Sequence, residues 1–273
     1  MSPVLLEARD ISLGYPGEGG WQAVLTQFDL QLAAGEVVTI LGPSGVGKSS
    51  LLRVLAGLQQ PHGGSVTLHG QPLQGPHPRL AVAFQDPSLL PWLSLENNVA
   101  FGLDFARQPR LAAAERRARI DHAIDAVGLA HARNQYPAQL SGGMAQRTAL
   151  ARCLARQPEV LLLDEPFGAL DEVTRADMQQ LLLQLIATHN TAAVLITHDI
   201  DEALLLSDRV LLLGNHPAQI LGQWRIDLPQ PRTQRVEELG ALRIDVLKTL
   251  RRASRTVEPT LTPLPSEAVH VHG

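Results

Sequence analysis

An α/β fold built on a parallel sheet is what the sequence predicts, from three features. Apolar runs without period-two alternation, Val37–Leu41, Leu80–Phe84, Val160–Leu163 and Ala193–Thr197, suit strands buried on both faces. Helical stretches separate them, as crossover connections between parallel strands require. Between the first run and the helical stretch Ser50–Ala56 lies a loop that fits G-x-x-x-x-G-K-[ST] as Gly42, four residues, Gly47, Lys48 and Ser49. Strand, glycine loop and helix in that order are the context this pattern needs.

In chain order, Val4–Ile11 and Leu25–Leu32 read as short strands flanking a glycine- and proline-rich turn, Gly14 to Gly20, and predict an N-terminal antiparallel β subdomain. Tyr15 in that turn is either an edge aromatic or a flat platform for a nucleobase. The strand Glu36–Leu41 then delivers the loop of Gly42, Pro43, Ser44, Gly45, Val46, Gly47, Lys48, Ser49 and Ser50. Its glycines let successive backbone N–H groups turn inward at anionic oxygens, and the helix N-terminus adds positive dipole character at the same spot. Lys48 supplies a cation for β and γ phosphates, and the Ser49 hydroxyl suits Mg²⁺, which prefers hard oxygen ligands. The loop is therefore a candidate nucleotide phosphate site.

Gly63–Gly70 reads as a hairpin strand, and Leu80–Phe84 as a buried strand that ends at Gln85. From Asp86 the pattern changes. Asp86–Leu93 is a loop with two prolines and several large apolar residues, and a helix follows that Ser94 can cap with Glu96 in its first turn. Leu111–Ala130 predicts an amphipathic helix whose polar face carries Glu115, Arg116, Arg117 and Arg119, a solvated face. Residues 86–139 thus form a helical subdomain inserted into the α/β core. Leu140 to Arg147 opens another helix with Ser141 as its cap, where Gly142 and Gly143 either merely turn the chain or leave N–H groups open to a second anion.

Val160–Leu163 ends in Asp164-Glu165-Pro166, and strand-end carboxylates sit in the crevice where open α/β sheets bind ligands. They are an ordinary polar terminus or, with a phosphate loop upstream, a metal ligand at Asp164 and a water-orienting base at Glu165. Thr174–Thr188 is a further helix, and Ala193–Thr197 ends at His198, which converges on the same crevice. Val236–Leu250 predicts a helix with Leu239, Leu242, Val246, Leu247 and Leu250 on one face. Residues 251–273, polar and proline-containing, read as a flexible tail, and His270 and His272 make a poor metal site without further ligands.

Composition narrows the function classes. A chain of 273 residues with net charge −4 has ample core and lacks the basic balance of nucleic-acid binders. No apolar run approaches the roughly 20 residues of a membrane helix. The start shows no basic segment followed by a long apolar stretch, so no secretory signal is expected. Cys153, the only cysteine, forms no internal disulfide, suits a reducing cytosol, and sits in an apolar helical stretch as a small buried residue.

The ordered set GPSGVGKSS, Gln85, LSGGMAQR, VLLLDEP, GALD and His198 resembles the ATP-binding subunit of an ABC transporter, from about Leu5 to Asn215. The resemblance implies a P-loop NTPase core within residues 1–235, with ATP and Mg²⁺ as cofactors. Carried over by motif, Walker A is Gly42–Ser50, the Q-loop glutamine Gln85, the signature loop Leu140–Met144, the Walker B aspartate Asp164 and the catalytic glutamate Glu165. The D-loop is Gly168 to Asp171, the switch histidine His198, and the adenine-stacking aromatic Tyr15. The implied catalytic set is Glu165, His198 and Lys48, and the implied metal set Ser49, Gln85 and Asp164. In the family two domains associate head to tail, so that Ser141, Gly142, Gly143 and Asp171 would complete the partner's nucleotide site. One copy of each motif therefore implies a second ATP-binding subunit, a homodimer or a heterodimer. Two positions depart from the pattern: Met144 stands where the signature usually ends in Gln, and Gly168 where the D-loop usually has Ser.

FQDPSLLPWLSLENNVAFGL, DEPFGALDEVTR and LITHDIDEALLLSDRVLLL are similar to importers of the nitrate, sulfonate, taurine and bicarbonate group. That implies two transmembrane permease subunits, a periplasmic binding protein, and a peripheral place on the cytoplasmic face of the inner membrane. Leu89, Leu90 and Trp92 of the Ser88–Leu93 segment are the expected permease contacts or, equally, packing residues of the insertion. The alternative class is a soluble ABC ATPase acting on nucleic acid or ribosomes, which paired domains or a basic face would favour; a nucleotide-responsive module without turnover is the third.

Overall fold

A computed structural model describes residues 3–17, 20–103 and 108–255. Two sheets form the body. The larger has six strands in the order β10-β9-β3-β8-β7-β6, with β3 (Val37–Leu41), β6 (Leu80–Ala83), β7 (Val160–Asp164), β8 (Ala192–Thr197) and β9 (Arg209–Gly214) parallel and β10 (Gln219–Arg225) antiparallel at one edge. β3, β7 and β8 are buried at every position, which is why they read as unbroken apolar runs. The smaller sheet is antiparallel, ordered β2-β1-β4-β5, from β1 (Val4–Gly17), β2 (Gly20–Ala33), β4 (Gly63–Leu68) and β5 (Gln71–Pro72). A backbone pair between Thr26 N–H and the Ala218 carbonyl at 3.0 Å, returned by Ala218 N–H to Val24 at 2.7 Å, joins the sheets.

Each face of the large sheet has its own core. Val38, Ile40, Leu162, Val194 and Ile196 pack against α1 (Lys48–Leu55) and the small sheet. On the opposite face Val37, Leu161, Leu163, Ala193 and Leu195 pack with α4 (Gly142–Ala155) and α5 (Glu172–His189). Leu41, Val210 and Leu212 meet α6 (Ile200–Leu206) and α7 (Val236–Arg255). The connections leaving β3 and β8, adjacent strands, thus diverge to opposite faces, and an α/β sheet opens a ligand crevice at such a point.

Several element limits differ from those expected. The glycines and proline of the N-terminal turn lie within a long, bulged hairpin: Gly14 pairs with Ala23, Tyr15 with Gln22 and Pro16 with Trp21. A Cβ on Gly14 would stand 2.6 Å from the Trp21 ring, so this glycine serves close packing rather than a turn. The helix expected over Leu111–Ala130 is α3 (Ala113–Ala126), ended by Gly128 at φ 69°. α7 runs to Arg255, five residues into the segment read as tail; the remainder, with His270 and His272, lies outside the described residues.

Arg232, 2% exposed, locks the C-terminal segment to the core. Its guanidinium donates to the carbonyls of Leu228 (2.8 Å), Leu204 (3.3 Å), Ser207 and Ile226 (3.3 Å), with Asp208 3.8 Å away. Burial lowers its affinity for the proton and Asp208 opposes this. Arg232→Met strands buried carbonyls at the end of α6. It is expected to cost on the order of 3 kcal/mol in urea unfolding, read as a lower midpoint at unchanged m-value.

Candidate active site

Strand register builds the site. Leu41 lies opposite Thr197, Asp164 opposite Ile196, and Ala83 opposite Leu163. The residues that follow, Gly42, His198 and Glu165, and Gln85 two positions beyond Ala83, therefore emerge together at the carboxyl edge.

In the phosphate loop, Gly45 (φ 80°) and Gly47 (φ 102°) adopt backbone conformations that L side chains rarely occupy. Gly42 is closely approached instead, since a Cβ there would lie 2.7 Å from the Leu213 carbonyl oxygen. Lys48, the first residue of α1 and 6% exposed, folds back so that Nζ donates to the carbonyls of Gly42 (2.8 Å) and Pro43 (2.9 Å). Burial lowers its proton affinity, and the charges of Glu165 and Asp164 pull it back up. Pro43, Ser44, Gly45 and Ser49 are exposed, Val46 is buried beneath the loop, and the Ser50 hydroxyl meets the Tyr15 hydroxyl at 2.8 Å. Tyr15 therefore stands at the rim of the loop, 44% exposed.

Asp164 is buried, and burial raises its pKa; the Ser49 hydroxyl, Lys48 and Arg53 lower it, and Glu165 raises it further. A carboxylate that is costly to ionise and a hydroxyl bonded to it form a hard-oxygen pair that a divalent cation would stabilise, so the residues fit Mg²⁺. Glu165 is held in the left-handed region at φ 45°, an uncommon conformation for a non-glycine residue, with its N–H bonded to the Ile196 carbonyl at 2.9 Å. Its Oε1 lies 3.1 Å from His198 Nδ1, and its Oε2 3.5 Å from Gln85 Nε2. Lys48, Ser49, Gln85, Asp164, Glu165 and His198 thus form one constellation.

The second loop lies elsewhere. Ser141 caps α4, its hydroxyl accepting from Met144 N–H at 3.2 Å, and α4 packs on α2 (Leu95–Ala100), α3 and β6. Ser141 and Gly142 are exposed, and Gly143 faces Leu170. Asp171 caps α5, accepting from Thr174 N–H (3.0 Å) and the Thr174 hydroxyl (2.7 Å), and these bonds lower its pKa. Met144 contributes only its backbone N–H to the cap and packs its side chain on the core.

Two residues escaped sequence reasoning. Asn98, fully buried, accepts from Leu90 N–H (2.8 Å) and donates to the carbonyls of Leu90, Leu93 and Ser94, which shapes the Ser88–Leu93 segment. Glu202, in the first turn of α6, is 7% exposed, and burial pushes its pKa up to about 7 against a Thr197 hydrogen bond that lowers it. Its four-residue spacing from His198 was the available signal, but an acid in a helical first turn reads as an ordinary dipole partner.

The chain matches the family model described as ABC transporter over residues 25–168. It is 48% identical over 233 residues to the aliphatic sulfonates import ATP-binding protein SsuB 1 of Xanthomonas axonopodis pv. citri, covering 85% of this chain and 92% of that protein. It is 45% identical over 231 residues to the bicarbonate transport ATP-binding protein CmpC of Synechococcus elongatus, covering 84% of this chain and 35% of that longer protein. Among solved structures it resembles the dimeric post-hydrolysis state of the ATP-binding cassette MJ0796 bound to ADP and Pi, with TM-score 0.74 and 28% identity over 82% of this chain and all of that one.

Between the ordinary carboxylate range and about pH 7, folded Glu202 keeps a proton that the unfolded chain has released. Its contribution to stability therefore falls as pH rises through that window and is fully unfavourable above it. Glu202→Gln is expected to gain on the order of 2–3 kcal/mol relative to the parent between pH 5 and pH 8, measured by urea unfolding at both values.

Proposed function

The chain belongs to the ABC transporter family, and from that premise we propose that it powers the import of a small anion such as a sulfonate, bicarbonate or nitrate. It hydrolyses ATP to ADP and phosphate. The observation that carries the residue-level reading is the meeting of Lys48, Asp164, Glu165 and His198 at one crevice beside the phosphate loop. The anion class is supported by the sulfonate and bicarbonate import names of the relatives.

In the proposed reaction the backbone N–H groups of Gly42 to Ser50 cradle the phosphates, and Tyr15 stacks on the adenine. Lys48 exchanges the Gly42 and Pro43 carbonyls for the β and γ phosphate oxygens. Ser49, Asp164 and Gln85 would hold Mg²⁺, which supplies charge neutralisation for those oxygens when bound. Glu165 takes the proton of the attacking water, and His198, in contact with its Oε1, steadies the carboxylate. The left-handed backbone at Glu165 points this side chain along the crevice rather than continuing the strand.

Ser141, Gly142, Gly143 and Asp171 act on the nucleotide of a second ATP-binding subunit, so a homodimer carries two sites. The exposure of Ser141, Gly142 and Asp171 supports this division. Among the described residues no helix is long and apolar enough to cross a membrane. The transport reading therefore requires permease subunits, with a periplasmic binding protein delivering the substrate, and places this chain on the cytoplasmic face of the inner membrane. A groove of about 540 Å³ lined by Val82, Phe84, Ser88, Phe101 and Arg152 adjoins the Ser88–Leu93 segment. Leu89 and Leu90 are half-buried there, whereas Trp92 is 69% exposed and is the principal candidate for a permease contact.

Glu165→Gln is expected to lower kcat by on the order of 100-fold or more while ATP binding persists; turnover at the parent rate would remove Glu165 as the base. Lys48→Ala is expected to weaken ATP binding itself, measured by nucleotide titration. Trp92→Ala should leave ATPase activity of the isolated chain intact and reduce recovery of membrane subunits in co-purification. Ribosomes or nucleic acid recovered in their place would support the non-transport ATPase instead.

A further inference from the structure

The hairpin that carries Tyr15 outruns its sheet. β4 pairs with β1 as far as Ser12, where Gly63 lies opposite, and β2 meets Ala218 through Val24, Leu25 and Thr26. Beyond those points Gly14 to Gly17 pair with Gly20 to Ala23 and, among the described residues, with no third strand. Register shifts on both sides of Leu13 interrupt the ladder at the root of this arm. A two-stranded ribbon is marginally stable in water, so its placement depends on what grips it.

Side chains grip the arm on both faces. Tyr15 and Gln22 are cross-strand partners, as are Pro16 and Trp21, and successive pairs of a ribbon point to opposite sides. On the side of the phosphate loop the Tyr15 hydroxyl meets the Ser50 hydroxyl at 2.8 Å. On the other side the Trp21 indole stacks on the His62 imidazole, with ring centroids 3.9 Å apart and planes 25° from parallel. His62 is itself fixed to the sheet, since its N–H donates to the Ser12 carbonyl at 2.8 Å. Gly64, at φ 83°, lies so close to β1 that a Cβ there would stand 2.3 Å from the Arg9 carbonyl oxygen. The indole also lies against Gly14, where a Cβ would meet its Cε2 at 2.6 Å. The stack thus ties the overhanging arm to the start of β4, which belongs to the fully paired part of the sheet.

We propose that Trp21 and His62 are positioning residues for nucleotide binding, a ring stack that holds the arm where Tyr15 presents its face to the adenine, without either ring touching the nucleotide. This rests on the reading of Tyr15 as the adenine platform. A platform that is in place only part of the time binds with an affinity reduced by that fraction, and a pre-ordered one avoids the cost. The stack can contribute no more to ATP affinity than its own strength, which for an aromatic pair corresponds to roughly 3- to 10-fold. Its influence stops at the base. The phosphate loop is carried by β3 and α1, whose Val38, Ile40, Leu51 and Leu52 are set in the core independently of the arm.

The test is equilibrium titration of the full-length chain with ATP and with inorganic tripolyphosphate, which carries the phosphates without the base. His62→Ala should weaken ATP binding roughly 3- to 10-fold and leave tripolyphosphate binding unchanged. In steady-state hydrolysis KM for ATP should rise with kcat retained. His62→Phe, which keeps a flat ring in place, should restore ATP affinity. Equal losses for the two ligands, no loss for either, or a loss that persists in His62→Phe overturns the proposal. Tyr15→Ala run in parallel separates the two readings. ATP binding at parent strength there removes the adenine platform and the stack's role with it, whereas a selective loss of ATP in Tyr15→Ala beside unaltered ATP binding in His62→Ala removes only the stack. His62 is exposed, so its truncation should leave the fold intact. Should His62→Ala fail to fold, His62→Gln, which removes the ring at similar size, takes its place under the same criteria.

Discussion

The parallel ladder joining β3, β8 and β7 is the constraint on which the rest depends. Its backbone hydrogen bonds set Leu41 against Thr197 and Asp164 against Ile196. A slip of one residue would turn every side chain of a strand to the opposite core, and both cores are apolar. The register is therefore strongly specified by burial alone. Chemistry follows from it, because residues 48, 164, 165 and 198 meet only when three strand ends finish at one level.

Within that frame the site keeps charge in positions that water would normally screen. Lys48 and Asp164 are both buried, and burial drives each toward its neutral form while their mutual attraction opposes the change. Without phosphate, Lys48 is served by two loop carbonyls, and Glu165 by His198 and the Gln85 amide. These contacts fix the direction in which each charged group is aimed within the crevice. The left-handed residue at Glu165 is the local conformational cost of that aim.

The region behind the site is organised by α6. Its N-terminus carries Asp199, Asp201 and Glu202, its C-terminus is held by Arg232, and α7 packs along it with Arg243 on Asp201. The C-terminal helix thus lies one helix away from His198.

Motif spacing and apolar runs made the α/β class, the glycine loop, the acidic strand end and the strand-end position of His198 legible, because each depends on residues adjacent in sequence and on strands buried on both faces. Turn chemistry misled at Gly14 to Gly20, where glycine and proline serve a close-packed, bulged hairpin, since close approach to Trp21 is a tertiary fact. Asn98 and Arg232 gave no local sign either, and Glu202 offered only its four-residue spacing from His198: a polar residue in an exposed-looking context becomes special only when partners distant in sequence exclude water from it. By itself the chain determined its fold class and its family, because both rest on apolar runs and on motifs written in residue order. Only the tertiary structure decided which groups meet, in which direction burial shifts their proton affinities, and that the buried Glu202 lines the same small cavity as Glu165 and His198, because distance and desolvation are properties of the packed chain rather than of its residue order.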